Sequence, residues 1–121
     1  MKLETALPNA DAGPSDCPVE RTLKLLSGKW RLLVLFHLGS GPVRWGALRR
    51  DLAPITARVL TATLRALEHD GLIWRRSEGS IPPVVTYGLT DSGRALAPTF
   101  DAMAQWGLKH MPHAGRKETA D

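Results

Sequence analysis

The chain has 121 residues and a mass of 13.2 kDa, room for one domain rather than two. Hydrophobic residues make up 43% and charged residues 23%, the balance of a soluble globular protein, and no apolar run reaches the roughly 18 residues of a membrane span. Sixteen Lys and Arg against twelve Asp and Glu leave a net charge of +4, and the single cysteine excludes an intrachain disulfide or a cysteine-rich zinc site.

Residues 1–16 hold Pro8, Gly13 and Pro14 among small polar side chains and read as a flexible arm. They are acidic and lack the apolar core of a secretory leader, so a reducing, cytoplasmic setting is expected. A first helix starts near Cys17-Pro18, because proline suits a first helical position whose N–H would be unbonded anyway. Val19, Leu23 and Leu26 follow at helical spacing until Ser27-Gly28 stops the run. A second helix, Lys29 to about Leu38, is apolar almost all round, which predicts a central position. Gly39-Ser40-Gly41-Pro42 breaks the chain. A short helix from Trp45 to Leu52 turns Leu48 and Leu52 inward, and Ala53-Pro54 closes it.

Thr56 is a good N-cap for the next helix, which runs to about Asp70. Val59, Leu60, Thr63, Leu64 and Leu67 form its predicted inner stripe, and Ala57, Arg58, Thr61, Ala62 and Arg65 the outer one. Gly71 ends it as a left-handed residue would. The period then changes: Leu72–Arg76 and Val84–Leu89 read as strands of a hairpin, with Glu78-Gly79-Ser80 at the tip. Thr90 caps a long last helix carrying Leu96, Phe100, Met103, Trp106 and Leu108, in which Pro98 predicts a bend or an irregular start. Residues 112–121 read as a polar tail, leaving 17–111 as the folded domain.

A short helix, a tight turn and a second helix with a polar outer stripe make a helix-turn-helix, and the basic hairpin after it makes a wing. The expected fold class is therefore mainly α with a small β-hairpin, a winged helix-turn-helix. Charge agrees with that reading. Residues 1–16 carry one base and three acids (net −2), residues 17–79 eleven bases and five acids (net +6), and residues 80–121 balance. An excess confined to one stretch points to a polyanionic partner, nucleic acid above all, or else to a solvated basic face; with a helix-turn-helix the partner expected is double-stranded DNA. A recognition helix sets its N-terminal residues against base edges in the major groove. Arg58 and Arg65 suit bidentate bonds to guanine, Thr61 suits a base edge or thymine methyl, and the small Ala57 and Ala62 permit close approach. Arg49, Arg50, Arg75 and Arg76 suit phosphates. Strand alternation sends Arg75 and Arg76 to opposite faces, and Arg76 is favoured as nearer the wing tip. Thr56 and Ser80 complete the expected DNA-contacting set.

The chain also resembles a known family. Cys17-Pro-Val-Glu-Arg, Ser27-Gly-Lys-Trp30, Gly41-Pro-Val-Arg-Trp45, Leu48-Arg-Arg50, Leu64-Arg65-Ala-Leu-Glu68, Asp70-Gly-Leu-Ile73, Pro82-Pro83-Val, Tyr87-Gly-Leu-Thr90 and Gly93-Arg94 are similar to the HxlR-type, MarR-like winged-helix regulators over about residues 17–111. The resemblance implies a bacterial homodimeric transcription factor on a palindromic operator, with first and last helices as dimerisation helices. It also implies a signal drawn from oxidants, electrophiles or small ligands. Members of that family often carry a polar residue and an acid at the positions of Gly46 and Ala47, a base at Val84 and a larger polar side chain at Ala57, so these positions mark a departure on the DNA side.

Cys17 matches the family's near-N-terminal cysteine. At a helix start, the helix dipole and Arg21 favour a thiolate while Glu20 opposes it. It is thus a candidate redox sensor, switched by oxidation or alkylation; the alternative is a structural thiol at the interface, with a ligand pocket between the two copies carrying the signal. Two other classes compete. A winged helix used for protein contact would present an apolar or acidic outer stripe. A thiol enzyme needs a base beside its nucleophile, and no histidine lies near Cys17 in sequence. His110 and His113 lack a third ligand for a metal, and His37 is expected as a partly buried histidine. Trp30, Trp45 and Trp74 are expected as packing anchors, Trp106 as dimer core or pocket lining, and Lys29 as a phosphate or solvent contact. No cofactor is expected.

Overall fold

The computed structural model describes residues 17–79 and 81–111; the expected arm and tail, with Ser80 and His113, lie outside the described residues. In chain order the elements are α1 (Pro18–Leu25), α2 (Lys29–His37), a 3-10 turn over Leu38–Ser40, β1 (Val43–Arg44), α3 (Trp45–Asp51), α4 (Ala57–His69), β2 (Ile73–Glu78), β3 (Val84–Leu89), α5 (Asp91–Arg94) and α6 (Ala97–His110). This is a winged helix-turn-helix, with α3 and α4 as the helix-turn-helix and β2–β3 as the wing.

Local chemistry explains most boundaries. Cys17 caps α1 with its sulfur, which accepts the Glu20 N–H at 3.4 Å. Thr56 Oγ1 accepts the Val59 N–H at 3.1 Å at the start of α4. That helix ends in a Schellman turn: the Leu72 N–H reaches the Leu67 carbonyl and the Gly71 N–H the Glu68 carbonyl, both at 3.0 Å, with Gly71 at φ +79° as the motif requires. The expected single last helix is two. α5 stops at Arg94, and α6 restarts with Pro98 in its first turn, where a residue lacking an N–H costs no hydrogen bond.

The core lies where α2, α3 and α4 meet the sheet. Val34, Leu35, Leu48, Leu60, Leu64, Leu67 and Ile73 are fully buried, and each such side chain contributes about 1.5–3 kcal/mol by leaving water. Burial corrects two expectations. α2 is not covered all round, since Leu33 and Phe36 are 41% and 56% exposed. On α4, Val59 is 39% exposed instead of facing inward, while Ala57 and Thr61 are half-buried. The buried row Leu60–Leu64–Leu67 fixes the phase of the helix, and Val59 lies 100° from Leu60 on the side away from it.

The sheet has three strands rather than the expected two, in the antiparallel order β1-β3-β2. Ile73 pairs with Leu89, Arg75 with Tyr87 and Val43 with Tyr87. Residues directly opposite share a face, so Ile73, Arg75, Tyr87, Leu89 and Val43 lie on the face toward the core. Trp74, Arg76, Gly88, Thr86 and Arg44 lie on the other. Trp74 packs flat over Gly88, where a Cβ would fall 2.2 Å from its ring.

Candidate nucleic-acid interface

The outward face of α4 carries Arg58, Ala62 and Arg65, all exposed. Positions 58, 62 and 65 are one face by the i, i+4, i+7 rule, opposite the buried Leu60–Leu64–Leu67 row. Between the two arginines Ala62 leaves a low point in the surface. Thr56 is occupied as the helix cap, which fixes the N-terminal turn of α4 and with it the Arg58 backbone. Ala57 and Thr61 flank the face at partial exposure.

Arg49 and Arg50 occupy the last turn of α3, where the helix dipole favours cations. Two clefts meet at Arg50. One is lined by Trp45, Gly46, Arg49, Arg50, Pro54 and Thr56, the other by Arg44, Trp45, Gly46, Arg50, Pro83 and Val84. Trp45, Gly46 and Arg50 belong to both, so one continuous surface runs from the helix-turn-helix turn to the wing. Gly46, Ala47 and Val84 lie on it. Among the described residues, no acidic group pairs with Arg44, Arg49, Arg50, Arg58 or Arg65.

In the wing, Arg75 and Arg76 lie on opposite faces, as strand alternation requires. Arg76 is on the outer face, but its Nε lies 3.2 Å from Glu78 Oε2 and its guanidinium sits 5.0 Å from the Trp74 ring centre. Arg75 is exposed on the opposite face. Arg44 completes an outer row with Thr86 and Arg76 across the three strands. Sequence reasoning missed Arg44 because a two-residue strand has no period to detect.

Other residues resolve as follows. Trp30 and Trp45 pack on the core as expected, and Lys29 Nζ rests 4.6 Å over the Trp30 ring. His37 is half-buried and its Nε2 lies 3.1 Å from Asp51 Oδ2, joining α2 to α3. Cys17 is half-buried. Away from the arginine surface, Val19 and Leu23 of α1, Leu33 and Phe36 of α2, and Met103, Trp106 and Leu108 of α6 are exposed. The ring of Trp106 lies 4.9 Å from that of His110, tilted at 35° to it.

A helix-turn-helix bearing exposed arginines beside a wing is the architecture of a DNA-binding regulator. The model of the HxlR-like helix-turn-helix family matches residues 25–115. The chain belongs to the HxlR-like helix-turn-helix family. It is similar to the HTH-type transcriptional regulator YdeP of Bacillus subtilis (strain 168), with 42% identity over 104 residues covering 86% of this chain and 81% of that one. Among solved structures it is similar to a MarR-family transcriptional regulator from Porphyromonas gingivalis W83 (TM-score 0.77, 31% identity, 82% of this chain and 97% of that one). It is also similar to the redox regulator HypR in its oxidised form (TM-score 0.72, 41% identity, 78% of this chain and 97% of that one). This HxlR-like chain is thus a DNA-binding transcriptional regulator and not an enzyme. No helix among the described residues is long and apolar enough to cross a membrane. The family match starts at Leu25, so Cys17 and most of α1 precede it.

Proposed function

We propose that two copies of this HxlR-like regulator bind a palindromic operator, each laying α4 in the major groove. The observation that carries this is the exposed Arg58–Ala62–Arg65 face beside Arg49 and Arg50, which have no acidic partner among the described residues. Arg58 and Arg65 reach guanine edges, with Ala57, Thr61 and Ala62 at the closest approach. Arg49, Arg50, Arg44 and Arg76 neutralise phosphates. Arg76 leaves Glu78 to do so, and an exposed ion pair of this kind is worth only about 0–1 kcal/mol. The exposed apolar residues of α1, α2 and α6 join the two copies, which sets half-site centres roughly 34–36 Å apart.

Fluorescence anisotropy with duplex DNA at two salt concentrations, together with sedimentation, tests the reading. A dimer with a steep salt slope supports it; a protein that ignores DNA, or binds with no salt slope, belongs to the protein-contact class instead.

Cys17 is proposed as the switch. Its sulfur caps α1, beside the exposed Val19 and Leu23, so oxidation or alkylation there alters the cap and the face that joins the copies. As the chain's one cysteine, it makes a disulfide only with a second chain or an outside thiol. The likeness to HypR, a redox regulator, supports this. A Cys17→Ser protein keeps its DNA affinity and ignores peroxide or quinone; release of DNA by the treated variant refutes the switch. A second reading rests on the cleft between α1, α2 and α6, lined by Val19, Leu23, Leu26, Leu32 and Met103 with a volume of about 600 Å³. That is the size of a small-ligand site, and it makes Cys17 purely structural.

A further inference from the structure

Two helix C-termini converge on one side chain. α1 ends at Leu25, whose carbonyl is among the last four that no N–H of the helix can reach. Arg31 Nη1 donates to that carbonyl at 2.7 Å. The same Nη1 lies 3.7 Å from Asp70 Oδ2, and Asp70 is the C-cap of α4. An acid at a helix C-terminus opposes the dipole, so Asp70 gains nothing from its own helix. Beside the guanidinium it becomes one half of a bridge. The side chain of Arg31 is 29% exposed and that of Asp70 27%, and Arg31 belongs to α2, whose Val34 and Leu35 are fully buried. The guanidinium is therefore mounted on the rigid part of the domain.

The same end of α4 is held from a second side. Thr90 Oγ1 donates to the Gly71 carbonyl at 2.6 Å and the Thr90 N–H to the Leu72 carbonyl at 3.1 Å. Gly93 of α5 lies so near that a Cβ would fall 2.2 Å from the Leu72 oxygen. The recognition helix is thus gripped at its C-terminal end by Arg31 of α2, which also holds the end of α1, and by the lead-in to α6. Its N-terminal end, with Arg58, is the part turned to DNA.

We propose that Arg31 is a positioning residue: it fixes the tilt of α4 against α1 and so sets the distance between the two recognition helices. The proposal rests on the two-copy reading above. Geometry makes the lever long. The 13 residues of α4 span about 20 Å at 1.5 Å each. A tilt of about 10° at the clamped end therefore moves the far end by about 3.4 Å, one base-pair step along a strand.

The test uses the full chain and the duplex that the wild-type protein enriches from a randomised pool, with one or two base pairs inserted or deleted at its centre. Anisotropy titrations compare wild type with Arg31→Met, which loses both contacts, and Asp70→Asn, which loses the ion pair but leaves the Leu25 contact. The wild-type protein should prefer one spacing by about tenfold or more, as a fixed pair of helices must. Arg31→Met should bring neighbouring spacings to within about threefold of the optimum with the salt slope unchanged, because no phosphate contact is removed. Asp70→Asn should flatten the preference in the same direction by a smaller factor, and it decides the matter if Arg31→Met does not fold. Equal weakening at every spacing, or a wild-type preference retained in both variants, overturns the proposal while leaving the two-copy reading intact. A wild-type protein indifferent to spacing overturns both.

Discussion

Arg50 stands where the two arginine-lined clefts meet. It is exposed and has no acidic partner among the described residues. If it neutralises one phosphate per copy, a two-copy complex loses two phosphate contacts on Arg50→Gln. Each contact contributes about 0.9 to the slope of log K against log salt, so the slope falls by about 1.8. Raising salt fourfold, from 50 to 200 mM, then shrinks the wild-type advantage by roughly 4 to the power 1.8, about twelvefold. Glutamine keeps most of the length and a hydrogen-bond donor, so the charge is what changes. A surface substitution of this kind moves stability by no more than about 0.5 kcal/mol, and matched melting temperatures would show that folding is not the cause. Anisotropy titrations at four salt concentrations give the slopes directly. Parallel lines for the two proteins, offset by one constant factor, would refute the assignment of Arg50 to a phosphate.

Arg58 and Thr56 separate reading from folding on the same turn of α4. Arg58→Ala should cost about 1–3 kcal/mol of discrimination at one base pair of each half-site, seen as a flattened preference across single-base variants of the selected duplex. A uniform loss on all sequences would move Arg58 to the phosphate-contacting set. Thr56→Ala removes the bond to the Val59 N–H and should lower thermal stability by about 1 kcal/mol. An unchanged melting temperature would show that the cap does not hold the helix start.

Elements with strong local chemistry were legible before any coordinates. Thr56 and Gly71 bracket α4 because a hydroxyl cap and a left-handed glycine act within a few residues of chain. Pro98 marked the irregular start of the last helix for the same reason, although a single proline could not say that α5 and α6 separate. β1 was not legible. Two residues carry no periodicity, and Val43-Arg44 becomes a strand only because Val43 finds Tyr87 across the sheet. Burial of α2 was misread because an apolar helix looks the same whether its partner is its own domain or another surface. Leu33 and Phe36 face out beside Met103 of α6, and the pattern of a single chain holds no mark to separate these from Val34 and Leu35.

The arginine face was legible for a simpler reason. An unpaired guanidinium is too costly to bury, so Arg58 and Arg65 had to face water once the leucine row of α4 set its phase, and Arg49 and Arg50 once the buried Leu48 set that of α3. Val59 and Thr61 sit at the margins of that row, where a step of 100° per residue decides exposure, and β-branched shape does not. The bridging residues followed neither rule. Arg31 lies 39 positions before Asp70 in sequence, and its meaning depends on two helix ends meeting in space. One signal for it was nevertheless present. Between Trp30 and Phe36 every residue but Arg31 is apolar, and a charge set inside such an apolar run needs a partner. That partner proves to be a pair of helix C-termini, which places the cation at the joint between α1 and the recognition helix rather than on the DNA surface with the other arginines.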